Sequence, residues 1–119
     1  MFKMKESTKQ PTKICDLTYL NEMMFGNQEM RGEIINDFTE QTTAELKLIQ
    51  HAILNEDFAA IKQYAHKMKS TVGIMGISSL IPLLNNMEVL GAEAKDIAAI
   101  KTLADNVNRI CLLAMNELQ

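Results

Sequence analysis

The sequence predicts an all-α fold, an up-down-up-down antiparallel four-helix bundle with a short additional helix at its N-terminus. Three observations lead there. Apolar residues recur in alternating steps of three and four along most of the chain, as they do on helices that bury one narrow stripe. No segment reads as a strand, and the apolar set is Leu, Ile, Ala and nine Met with few aromatics and no Trp, which favours a bundle over a sheet. The gaps between periodic segments are short, so consecutive helices should lie antiparallel. A chain of 119 residues is enough for one domain.

The first helix is expected from about Asp16 to Met24, with Asp16 as N-cap and Leu17, Leu20 and Met24 on one face. Gly26-Asn27 breaks it. The second runs from about Gln28 to Leu54 on the stripe Ile35, Phe38, Thr42, Leu46, Ile49 and Ile53, with Thr42 its weak point and Asn55 at its end. The third starts near Asp57 and ends by Met75, burying Phe58, Ile61, Ala65, Met68, Val72 and Met75. Gly76 then reads as a C-terminal glycine. The fourth starts at Ser78 or Ser79, either of which can cap it. Pro82 lies in its first turn, where the missing N–H removes no helix bond. Leu80, Leu84 and Met87 face inward, Ile81 and Leu83 widen that face, and Gly91 ends the helix. The fifth is capped by Asp96 and runs to about Leu118 on Ile97, Ile100, Ala104, Val107, Cys111, Ala114 and Leu118. Residues 1–12 are polar and read as a flexible tail, which leaves 13–119 as the bundle domain. The first helix should act as a lid on one end of it.

Several function classes are disfavoured. The net charge of −3 argues against nucleic acid, whose affinity rests on clustered Lys and Arg. No stretch has the length of a membrane span, and residues 1–12 lack the apolar run of a signal peptide. Cys15 and Cys111 are far apart in apolar contexts and read as reduced, buried thiols of a cytoplasmic protein. His51 and His66 have no cysteine or carboxylate at ligand spacing, so no metal site is expected. The nine Met fall mostly on core stripes and read as gap-fillers.

The segment Ala65-His66-Lys67-Met68-Lys69-Ser70-Thr71-Val72-Gly73-Ile74-Met75-Gly76 stands out from this background. On a helical wheel His66 lies roughly 130° from the centre of the core stripe and faces solvent. Ser70 and Gly73 follow on its side within about 40° and 20°, so the floor beside the imidazole is low. Lys69 sits on the flank between His66 and the core, and Lys62 and Lys67 complete a local basic patch. A lone surface histidine on a helix usually does nothing, and a charge patch is usually a solvated face. Gly73, however, costs roughly 1 kcal/mol against alanine inside a helix. Close approach of a partner or of a neighbouring helix should offset that. An exposed imidazole with an ammonium beside it and a hollow next to it suits a phosphorylated histidine.

These residues resemble the histidine-containing phosphotransfer (HPt) domains of multistep phosphorelays. The family pattern is a phospho-accepting His, an apolar residue two later, Lys three later, a small residue four later and Gly ten later. Here these are His66, Met68, Lys69, Ser70 and Gly76, preceded by a fitting Ala65. With the helical layout, the resemblance extends over roughly Asp16 to Leu118. Ser70 departs from the usual Gly, and its hydroxyl could donate to a phosphoryl oxygen. Where many members set an amide against the histidine, the counterpart here is Glu88. Its carboxylate would hold and polarise the imidazole but repel a phosphoryl group.

The resemblance implies a phosphoryl carrier without kinase activity. No Walker-type or other glycine-rich nucleotide loop is present, and no general base arranged by a third group can be named. His66 would take a phosphoryl group from a receiver-domain aspartate of a hybrid kinase and pass it to a response regulator. An unperturbed histidine is largely neutral near pH 7, so its nitrogen needs no unusual activation. Mg²⁺ is expected on the partner receiver, and no cofactor on this chain. Lys69 would assist electrostatically and Lys67 would contact the partner. Ser70 and Gly73 would give access, with Lys62 and Gln63 on the binding rim and Glu88 orienting the ring. The docking face would draw on the first, third and fourth helices. A monomeric, free-standing shuttle is expected. The alternative is a bundle that no longer takes phosphate and serves as a protein-interaction module. A dimerising adaptor would need an apolar surface outside the stripes, and no long one is visible.

Overall fold

The structure, a computed structural model, describes residues 13–119. The expected tail, residues 1–12, lies outside them. Among the described residues there are five α-helices and no strand: α1 (Thr18–Met24), α2 (Gln28–Leu54), α3 (Phe58–Ile74), α4 (Leu80–Glu93) and α5 (Ile97–Glu117). Helix α2 packs on α3, α3 on α4, α4 on α5 and α5 back on α2, which closes the ring of a four-helix bundle. Helix α1 lies against α2.

Local chemistry sets most of the boundaries. Asn27, Asp57 and Asp96 cap α2, α3 and α5, their side chains accepting from the backbone N–H of Met30, Ala60 and Ala99 at 3.0, 3.1 and 3.1 Å. Asp16 acts one position earlier than expected: Leu17 is the N-cap of α1, and Asp16 Oδ1 accepts from Thr18 N at 3.1 Å and Thr18 Oγ1 at 2.7 Å. For α4 the expected serine cap is absent, since Ser79 holds the N-cap position without a side-chain bond.

Gly76 ends α3 as expected. Ile77 N donates to Val72 O and Gly76 N to Gly73 O, with Gly76 at φ +63°, a Schellman motif with Ile77 and Val72 both buried. A Cβ on Gly76 would lie 2.1 Å from the carbonyl oxygen of Asp16. There the incoming chain crosses the end of α3, with Asp16 N shared between Met75 O and Gly76 O at 3.1 and 3.2 Å. Glu117 of α5 anchors the same segment, its two carboxylate oxygens accepting from Ile14 N and Cys15 N.

Gly91 does not end α4. The helix continues through it to Glu93 and stops at Ala94, which adopts the left-handed conformation. Gly91 is instead buried where α4 meets α3, and a Cβ there would lie 3.0 Å from Lys62 N and 3.1 Å from Phe58 O. The missing side chain lets the two backbones approach.

The expected stripes form the core. Ile61, Ala65, Met68 and Val72 of α3 and Met75 at its C-cap have no exposed surface. Burial of each large one is worth roughly 1.5–3 kcal/mol relative to exposure, which fixes the rotation of α3 about its axis and so the direction of His66. Leu84 and Met87 of α4 and Ile100, Val107 and Cys111 of α5 belong to the same buried cluster. Met68, Met75, Met87 and Met115 are buried, whereas Met23 and Met30 are exposed. Both cysteines are buried free thiols; burial foremost pushes Cys15 up to about 11 and Cys111 up to about 12. Thr42, the weak point of the α2 stripe, is fully buried beside an unexpected neighbour, Glu45. Glu45 Oε2 accepts from Gln41 Nε2 at 3.2 Å and Thr71 Oγ1 at 3.5 Å, but Glu45 Oε1 and Thr42 Oγ1 have no partner among the described residues.

Candidate functional site

Helix α3 presents His66 on the side opposite its buried stripe, and the side chain is 70% exposed. Helix α4 lies alongside. Its inward face carries Leu84 and Met87, and from the polar edge beside that face Asn85 and Glu88 reach α3. Glu88 Oε2 is 2.8 Å from His66 Nδ1, and Glu88 Oε1 is 2.7 Å from Lys69 Nζ. Lys69 also donates to Asn85 Oδ1 at 2.9 Å. Glu88 and Lys69 are only 22% and 26% exposed, so the pair forms a half-buried shelf beneath a solvent-facing ring.

The protonation pattern follows from the partners. The bond from Lys69, followed by that from His66, holds the Glu88 carboxyl below its ordinary range, against the opposing effect of burial. An ionised carboxylate only accepts, so Nδ1 carries the ring proton. In the neutral ring Nε2 therefore keeps its lone pair, and it is the nitrogen not engaged by Glu88. The arrangement supplies a fixed, exposed nitrogen nucleophile backed by a charge-compensated pair.

The other residues singled out in the sequence spread around this centre. Ser70 and Gly73 follow His66 on α3 and are exposed. Among the described residues no atom beyond its own stretch of helix comes within 4 Å of a Cβ placed on Gly73, so no neighbouring helix offsets its cost. Lys67 and Ser70 line a groove between α2 and α3 together with Asp37, Gln41 and Ile74. Lys62 and Gln63 are exposed one turn before His66 and form no ion pair or side-chain hydrogen bond with it. The sequence named no group arranged by a third one around the histidine, whereas Glu88 is held between His66 and Lys69. Asn85 was missed altogether. Its spacing of three from Glu88, which places both on one helical face, was the available signal. Among the described residues no cluster of three or more His, Cys, Asp or Glu could hold a metal ion, and no helix is long and apolar enough to cross a membrane.

The family model of the Hpt domain matches residues 33–115, more than two thirds of the chain. The chain belongs to the Hpt domain family. Hpt domains carry phosphoryl groups between receiver domains in multistep phosphorelays and have no kinase activity of their own. Searches of curated proteins and of solved structures return no match. The matched span of this Hpt domain holds α3 and α4 whole, and with them His66, Lys69, Asn85 and Glu88.

Proposed function

We propose that His66 accepts a phosphoryl group from a receiver-domain aspartate and passes it to another receiver domain. The observation that carries this reading is the pairing of His66 Nδ1 with Glu88 at 2.8 Å, which leaves Nε2 as the nucleophile on an exposed ring. Attack by the Nε2 lone pair forms the N–P bond while the P–O bond to the aspartate breaks, its electron pair staying on the carboxylate. Lys69 compensates the charge of Glu88, so the carboxylate that orients the ring does not by itself repel the phosphoryl group. Lys62, Gln63 and Lys67 form a rim for the acidic pocket of a receiver, and Ser70 and Gly73 let it approach. Mg²⁺ comes with the partner, and this chain needs no cofactor.

The domain spans residues 13–119 and works as a cytoplasmic monomer that binds neither nucleic acid nor membrane. The long helices run up-down-up-down. In support, His66 and Lys69 of α3 meet Glu88 and Asn85 of α4, while Lys62 and Phe58, earlier in α3, meet Gly91, later in α4. Gln41 of α2 likewise meets Thr71 of α3, and Thr43 meets Met115 of α5.

The test is incubation with receiver-containing hybrid kinases and ATP. Acid-labile label that is lost in a folded His66→Gln variant is the expected result. Label that persists in that variant removes His66 from the mechanism. A broad kinase panel giving no label on folded protein would favour an interaction module.

A further inference from the structure

We propose that Glu88 is a positioning residue that keeps the proton on His66 Nδ1 through the whole phosphorylation cycle and thereby shortens the life of the phosphohistidine. This rests on the assignment of phosphoryl transfer to His66.

In the resting site Nδ1–H already donates to Glu88 at 2.8 Å. Attack through Nε2 then yields a phosphoimidazolium directly, positive on the ring and facing a carboxylate. On departure the N–P bond breaks, the electron pair returns to Nε2, and a neutral ring remains with its proton still on Nδ1. No proton has to enter or leave in either direction. A phosphorylated ring that loses this proton is a poor leaving group, because the departing nitrogen would leave as an imidazolate. A carboxylate at Nδ1 favours the protonated, transferable form, through a charge-assisted bond roughly twice as strong as a neutral one. Glu88 therefore makes His66 a site that empties quickly rather than one that stores phosphate.

The surroundings of Glu88 keep its carboxylate ionised and in place against Nδ1. From α3 it faces His66 and Lys69, whose bond holds it ionised below the ordinary carboxylate range. On α4 itself the neighbour is the neutral Asn85, held through Lys69. The cleft between α4 and α5 is lined by Asn86, Val89, Leu90, Ala99, Thr102 and Leu103, none of them ionisable. Lys62, one turn before His66, forms no ion pair with Glu88.

The test loads the full chain and its Glu88→Gln variant with a small phosphoramidate donor, without any partner, and follows the decay of the phosphohistidine by ³¹P NMR from pH 5 to 9. At pH 5 both rings are protonated and the lifetimes should converge. At pH 8 the variant should last about fivefold longer, and the rapid decay of the native protein should extend to higher pH. A Glu88→Asp variant that regains the native profile would support the role. Superimposed pH profiles overturn the inference. So does a longer lifetime that is equal at every pH, because release of Lys69 toward the phosphoryl group would account for it. A native protein that never takes phosphate on His66 overturns the assignment of phosphoryl transfer instead.

Discussion

Substituting Gly76 by alanine should loosen one end of the bundle without touching the chemistry. The residue sits at φ +63°, where an L side chain costs about 1–2 kcal/mol. Its new Cβ would lie 2.1 Å from the carbonyl oxygen of Asp16 and 2.8 Å from the carbonyl carbon, so the crossing segment must lift away. That breaks the shared hydrogen bond from Asp16 N to Met75 O and Gly76 O, worth about 1 kcal/mol net. Together these give a loss of about 2–4 kcal/mol, including partial exposure of the buried Cys15 and Leu20. Urea unfolding should show a midpoint lowered by roughly 1–2 M with an unchanged slope. His66 lies ten residues back along α3, about 15 Å away, so the folded fraction should take phosphate as the native protein does. A loss under about 0.5 kcal/mol would refute the reasoning about the crossing segment. Complete loss of phosphate uptake in folded protein would refute the independence of the two regions.

Two further substitutions separate binding from stability. Gly73→Leu places a side chain where no atom lies within 4 Å, so it should raise stability by up to about 0.8 kcal/mol through helix propensity. The same change should weaken receiver binding at least tenfold, as read by titration calorimetry, because the bulk stands beside His66; unchanged affinity would place the docking face elsewhere. Glu45→Met replaces a buried carboxylate whose Oε1 has no partner, and should raise stability by about 1 kcal/mol. A loss of that size in thermal unfolding would mean that the contacts to Gln41 and Thr71 outweigh the unpaired oxygen.

What the sequence could show depended on whether one helix or two were needed. The stripes of α3 and α5, the caps at Asp57 and Asp96 and the terminal Gly76 are properties of single helices, and periodicity and capping chemistry revealed them. The outward direction of His66 followed from the same wheel. Gly91 was misread because its reason lies on another helix: a glycine near a helix end is ordinarily a terminator, and only the backbone of α3 at Phe58 and Lys62 explains it here. Glu45 was invisible for a related reason: Gln41 lies one turn away on α2 itself, but Thr71 and the burial of the carboxylate come only when α2 packs on α3. The ion-pair shelf lay between these cases. Lys69 belonged to the motif and Glu88 was expected opposite the histidine from the family resemblance, but the tie of Lys69 to both Glu88 and Asn85 needed the α3–α4 register.

The most direct test of the central claim is to locate the phosphoryl group on the loaded domain by ³¹P and ¹⁵N NMR. His51 serves as an internal control, being an exposed histidine on α2 whose Nε2 lies 3.1 Å from Asn55 Nδ2. A single N-phosphoryl signal on Nε2 of His66, with His51 unmodified, is the expected result. Phosphate on Nδ1 of His66, or on His51 in its place, would contradict the role assigned to the ring that Glu88 holds.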